Sequence, residues 1–125
     1  MIYTTYFDKL NSLPKNVLPI SICGKAPVWY TGLQYKKLAP KYDFFMDWQR
    51  THNNDTYIKC FNAQVLNNID AIKLSQELID IMNQSGCEHV ALVCYEKPPD
   101  FCHRHLVSAW FNSNNIECEE YKYIK

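Results

Sequence analysis

Glycine is almost missing from this sequence: three residues in 125, at Gly24, Gly32 and Gly86. Neither a GxGxxG run nor a GxxxxGK run can be built from those positions, which excludes the glycine-rich phosphate cradles of ordinary dinucleotide and P-loop proteins. Excess charge of either sign is missing too, with 13 basic residues against 13 acidic ones. Gripping a nucleic-acid backbone calls for a basic face, so nucleic acid is not the expected partner. No apolar run approaches the roughly 18–20 residues that cross a bilayer, and no membrane partner is expected. Residues 1–20 lack the charged start, apolar middle and small-residue cleavage site of a signal peptide, so the expected location is the cytoplasm. The six cysteines form no CxxC pair, which removes zinc ribbons and thioredoxin-type motifs. In a reducing compartment they are expected to be free thiols, most of them buried.

Apolar residues make up 47% of the chain and aromatics 14%, enough to build one core without staples. The length suits a single domain over residues 1–125, and no repeat or linker divides it. Residues 2–7 (IYTTYF) and 17–23 (VLPISIC) read as strands, Pro19 marking an edge or a bent entry to the second. The stretch 33–66 is aromatic and irregular, with helical spacing predicting a helix near 56–66. Residues 69–84 make the clearest helix, with Ile72, Leu78, Ile79, Ile81 and Met82 on its apolar faces and Gly86 at its C-terminal cap. Residues 89–95 (HVALVCY) are apolar on both faces, as in a central parallel strand. Asp100 is the expected N-cap of a helix running to about Asn112, and 116–121 reads as a last strand. The expected fold class is α/β: a small Rossmann-like domain, its mostly parallel sheet flanked by helices and binding ligands at the carboxyl edge.

The chemistry is concentrated between Cys94 and Phe111. Alternation puts Cys94 and Glu96 on one face of their strand, with Glu96 at the carboxyl end. At about 100° per residue, Leu106, Val107, Ala109, Trp110 and Phe111 define the buried stripe of the next helix. His103 projects near the centre of that stripe, flanked by Cys102 and Arg104, while His105 points outward. First-turn N–H groups, the helix dipole and Arg104 together would make an anion site.

Each residue also has a plainer reading. His103 would serve as well by bonding Glu96 or a loop carbonyl and locking the strand–helix junction. Cys102 is either a nucleophile activated by the helix start or a small residue that permits close packing. Arg104 competes as an anion ligand with an ordinary salt bridge to Glu96 or Asp100. Cys94, Glu96, Cys102 and His103 are a donor set that zinc or iron would accept. Nothing in the spacing guarantees that all four converge, and His103 projects about 100° from Cys102 on a shared helix. No metal or cofactor is therefore expected.

The segment C-x-E-x5-C-H-R, Cys94 to Arg104, followed by an apolar helix, closely resembles the signature of the domain-of-unknown-function family 488. The YTTYF strand, the run ISICGKAPVWYTG and the triplet Leu38, Ala39 and Pro40 agree, so the resemblance covers nearly the whole chain. It implies a small Rossmann-like protein of the kind found in bacteria, archaea and phages, and brings no settled activity. Lys25 stands where relatives often carry arginine, which replaces a planar fork with a point charge.

The expected function is binding of a small anionic, ring-bearing molecule derived from a nucleotide. In a phage, sequestering a host nucleotide signal would be a natural task. The candidate ligand residues are Thr5, Tyr6, Ser21, Lys25, Trp29, Cys94, Glu96, His103 and Arg104: Arg104 and Lys25 for the anion, Glu96, Ser21 or Thr5 for hydroxyls, Trp29 or Tyr6 for the ring. The rival is a hydrolase or transferase acting on a nucleotide-like substrate, with Glu96 or His103 as acid/base and Cys102 as nucleophile. A third reading is a protein- or nucleic-acid-interaction module using residues 42–57 as contact surface. A homo-oligomer is left open.

Overall fold

β-branched and aromatic residues favour extended backbone, and residues 2–6 accordingly form β1 (Ile2–Tyr6). In the computed structural model, which describes residues 1–123, four further strands follow. These are β2 (Val17–Ser21), β3 (Leu33–Gln34), β4 (His89–Cys94) and β5 (Cys118–Glu120). All pairings are parallel and the order is β3-β2-β4-β1-β5. The all-apolar β4 is central, and Val90 to Cys94 are buried. Pro19 pairs with β4 on one side only, since β3 meets β2 no earlier than Ile20. Its missing N–H therefore costs no ladder bond on the outer side.

The helices are α1 (Tyr42–Thr51), α2 (Asn54–Gln64), α3 (Ala71–Ser85) and α4 (His103–Ser113). Helix α3 starts where Asp70 accepts from the N–H groups of Ile72 and Lys73 and stops at Gly86, whose φ of 77° suits glycine. Its buried stripe is Ala71, Leu74, Ser75 and Leu78, whereas Ile72 and Ile79 face solvent. Helix α1 is an addition to the sequence expectation, since its aromatic run carries little helix propensity and takes its helicity from packing. His52 closes it in the left-handed region, and Asn53 caps α2 by accepting from Thr56 N–H. Helices α1 to α4 contribute Phe44, Tyr57, Phe61, Leu74, Leu78, Val107 and Phe111 to one core with Ile20, Val90 and Leu92. A smaller cluster joins Phe7, Cys23, Val93, Cys94 and Cys102. The architecture is a Rossmann-like α/β domain, with a five-stranded parallel sheet and flanking helices. Among the described residues no helix is long and apolar enough to cross a membrane.

Two expectations about α4 are corrected. The helix begins at His103 with Cys102 as N-cap, so Asp100 caps nothing. Pro98 and Pro99 together with Asp100 are exposed turn residues, and the chain needs three more steps to come back over the sheet. Ala109 is exposed, and the buried face is carried by His103, Arg104, Val107 and Phe111.

The connection leaving β2 runs outward to β3, while the one leaving β4 runs the other way, through α4 and past β1 to β5. The carboxyl ends of β2 and β4 therefore part at a topological switch point, where open α/β sheets hold ligands. Beyond β1, the Arg104 guanidinium is fully buried and forks onto Glu120 of β5 through Nε at 3.0 Å and Nη2 at 3.1 Å. Thr4 donates to the same carboxylate at 2.6 Å. Removing one partner of a buried pair strands the other charge, so Glu120→Ala is expected to lower unfolding free energy by about 3–5 kcal/mol in urea denaturation. A loss below about 1 kcal/mol would mean that the guanidinium reaches water instead.

Candidate functional site

Where β2 and β4 part, a cavity of about 980 Å³ opens. Its floor is Cys23 and Gly24 after β2, Cys94 to Glu96 after β4, and Phe101 to His103 at the start of α4. Its walls add Lys25, Lys36 and Lys41 and the rings of Tyr42, Phe45, Trp48 and Tyr57. Lys25, Lys41 and Tyr42 are exposed, so the cavity has a mouth.

The aromatic wall is mutually braced. Tyr57 packs edge-on to Phe101 at 5.1 Å, Trp48 lies 5.6 Å from Phe101, and the indole N–H of Trp48 donates to Asn54 at 2.7 Å. Such fixed rings offer a face for stacking at little ordering cost.

His103 sets the geometry of the floor. Its Nε2 lies 2.7 Å from the Ile22 carbonyl, an obligate acceptor, so this nitrogen carries the proton. In the neutral ring Nδ1 is left with a lone pair, 3.5 Å from the Cys94 sulfur. Cys102 is extended (φ −155°, ψ 142°) because it caps the helix rather than belonging to it. The 100° separation expected between Cys102 and His103 on one helix therefore does not apply, and their side chains converge with Cys94. The two sulfurs and a ring nitrogen of His103 all lie within 4.8 Å of one another, and all three residues are about 5% exposed or less. This is the arrangement on the cavity floor that could hold a metal.

The two thiols divide one proton unequally. The Cys94 hydrogen bond, working against burial and aided by His103 when its ring carries both protons and by the Arg104 backbone N–H, holds the Cys102 thiol down to about 3. The same contact, with burial, pushes Cys94 well above the usual thiol range. Glu96 is pushed up from the usual carboxylate range by burial, then by the charge on Cys102, with Arg104 and His103 opposing.

Of the sequence candidates, Lys25, Cys94, Glu96, Cys102 and His103 share the cavity. The other candidate residues lie outside it. Ser21 and Thr5 both pair with Val93, so alternation turns them to the sheet face away from Cys94. Thr5 there bonds Tyr123 at 2.6 Å and Ser21 contacts the Cys23 sulfur at 3.1 Å. Tyr6 lies against the Arg104 guanidinium at 5.7 Å, and Arg104 is committed to Glu120 rather than to an anion at the mouth. Trp29 is exposed with its edge on Phe7 at 5.9 Å. His103 bonds a loop carbonyl, as its plainer reading had it. The residues 42–57 offered as a contact surface supply much of the cavity wall. Sequence reasoning missed Phe45, Trp48, Phe101 and Lys41 as site residues. The available signal was the i, i+3, i+4, i+7 spacing of Tyr42, Phe45, Met46 and Gln49, which sets them on one face of α1.

A family model described as the active DUF488-N3 subclade matches residues 9–115, and the chain belongs to the DUF488 family. No curated protein and no solved structure matches the chain.

In reduced, metal-free protein, iodoacetamide labelling of Cys102, read by peptide mass mapping, is expected to stay level from about pH 8 to about pH 5. An ordinary thiol loses about tenfold in rate per pH unit across that range. A tenfold fall per unit at Cys102 would show that its sulfur is protonated.

Proposed function

We propose, with membership of the DUF488 family as premise, that the cavity binds a small anionic, ring-bearing molecule of the nucleotide class. The observation that carries this reading is the pairing of two exposed lysines, Lys25 and Lys41, with a braced aromatic wall in one cavity, where a third, Lys36, is held on the Gly24 carbonyl. Lysine ammonium groups attract phosphate as point charges, and a ring slotted against Trp48 or Tyr57 gains stacking of about 1–3 kcal/mol. The volume, about 980 Å³, is at the upper end for small-molecule sites of roughly 300–1,000 Å³. The site's place at the switch point supports the same reading by fold analogy. Glu96, on the floor, is a hydroxyl acceptor when ionised and a donor when protonated. Ligand orientation follows: anion toward the lysines, ring along the aromatic wall.

Turnover is a second reading, favoured by one observation: Cys94, Glu96, Cys102 and His103 all face the volume the ligand would fill. The description of the subclade as active sides with it.

Titration of adenosine monophosphate into the reduced protein by calorimetry is expected to give saturable binding. Trp48→Ala and Lys41→Ala should each weaken it about tenfold or more, and added salt should weaken it further. If no nucleotide monophosphate binds, or both variants bind like the parent, the reading fails. Recovery of the nucleotide unchanged after denaturation supports storage. Its conversion, lost in Glu96→Gln while binding persists, selects turnover.

A further inference from the structure

We propose that Cys94, Cys102 and His103 bind one divalent cation of the zinc class, with a fourth coordination position open to the cavity. The donors are two sulfurs and one imidazole nitrogen, a set characteristic of zinc sites. Their spacing matches the ion. Zn–S bonds of about 2.3 Å and Zn–N bonds of about 2.0–2.1 Å at the tetrahedral angle set an S···N edge of about 3.6 Å. The Cys94 sulfur and His103 Nδ1 are 3.5 Å apart, and all three donor atoms lie within 4.8 Å of one another.

The imidazole is also held as a ligand must be held. A zinc-bound histidine donates its other N–H to a carbonyl or carboxylate, which fixes the tautomer and the ring plane. His103 does this with the Ile22 carbonyl at 2.7 Å and presents its Nδ1 lone pair to the sulfurs. The three ligands come from two rigid elements, the end of β4 and the start of α4, so little ordering is left for the ion to impose.

Three protein donors leave a tetrahedral ion one vertex. The carboxylate of Glu96 is not part of the 4.8 Å donor group, although the residue lines the same cavity. The free vertex is therefore taken by water or by an anionic group of a molecule in the cavity. Structural zinc sites are closed by four protein ligands; three ligands and an opening are the composition of sites that handle substrate. Two thiolates would bring the ion to zero net charge, leaving the lysines of the cavity wall to attract an anion. The metal site stands on its own donors and does not depend on nucleotide binding.

The test uses the whole 125-residue chain, reduced, stripped with a chelator and freed of it. Titration with Co2+ is expected to reach one ion per chain, with an intense near-ultraviolet sulfur-to-cobalt band and the visible bands of tetrahedral coordination. An equimolar amount of Zn2+ should abolish both. Cys94→Ser should lose about half of the sulfur band and bind Co2+ at least about tenfold more weakly. His103→Asn should shift the visible bands; since His103 also holds the junction, its circular dichroism is compared with the parent, and Cys94→Ser decides the matter if the histidine variant has unfolded. Absence of a sulfur band, or a band unchanged in Cys94→Ser, overturns the proposal. Adenosine monophosphate titrated into stripped and zinc-loaded protein reads the nucleotide site separately, so failure of either idea is seen without the other.

Discussion

The hydrogen bond from His103 to the Ile22 carbonyl is the constraint on which the floor of the cavity depends. It spans the gap between β2 and α4 and ties the first turn of the helix to the strand end it faces. By deciding which nitrogen holds the proton, it decides what the other nitrogen offers to the sulfurs. A backbone carbonyl in that role has fixed polarity and position, so the imidazole is oriented by the fold itself. Without this bond nothing would fix which nitrogen of the packed ring offers a lone pair to the two sulfurs.

Adjacent residues in the CHR triplet serve different ends of the molecule. Cys102 and His103 face the opening between β2 and β4, while Arg104 turns across β1 to Glu120. Arg104 thus binds the last strand into the sheet and has no share in holding an anion at the mouth. The cationic side chains that line the cavity are instead lysines, on the loops after β2 and β3 and ahead of α1. The buried ion pair thus stands apart from the exposed lysines of the cavity wall.

Much of this fold was legible in the chain. Strand β4 announced itself by apolarity on both faces, and α3 by its periodicity and its glycine cap, because both signals are local. The convergence of Cys94, Glu96 and His103 could also be read, since one strand, one loop and one helix lie consecutively in sequence. Thr5, Ser21 and Arg104 were misplaced for a non-local reason. Which way they point depends on the register of β1 and β2 against β4 and on the position of β5, and neither has a signal in neighbouring residues. Trp48 was missed as a site residue because an aromatic run looks alike whether it fills a core or walls a cavity. The convergence of Cys102 with His103 turned on a single φ/ψ pair, that of the helix cap.

The margins of the sheet bear on how this chain behaves in company. On the β2 side, Val17 to Pro19 have no outer strand partner among the described residues, and proline there withholds a donor that an incoming strand would need. The two-residue β3 covers Ile20 and Ser21. On the other margin, β5 is three residues long and carries the exposed Glu119, which would face its own like charge if a second β5 came alongside. Brevity, proline and carboxylates are standard protections against edge-to-edge stacking. A concentrated stock of this protein should therefore resist fibril growth seeded from either flank.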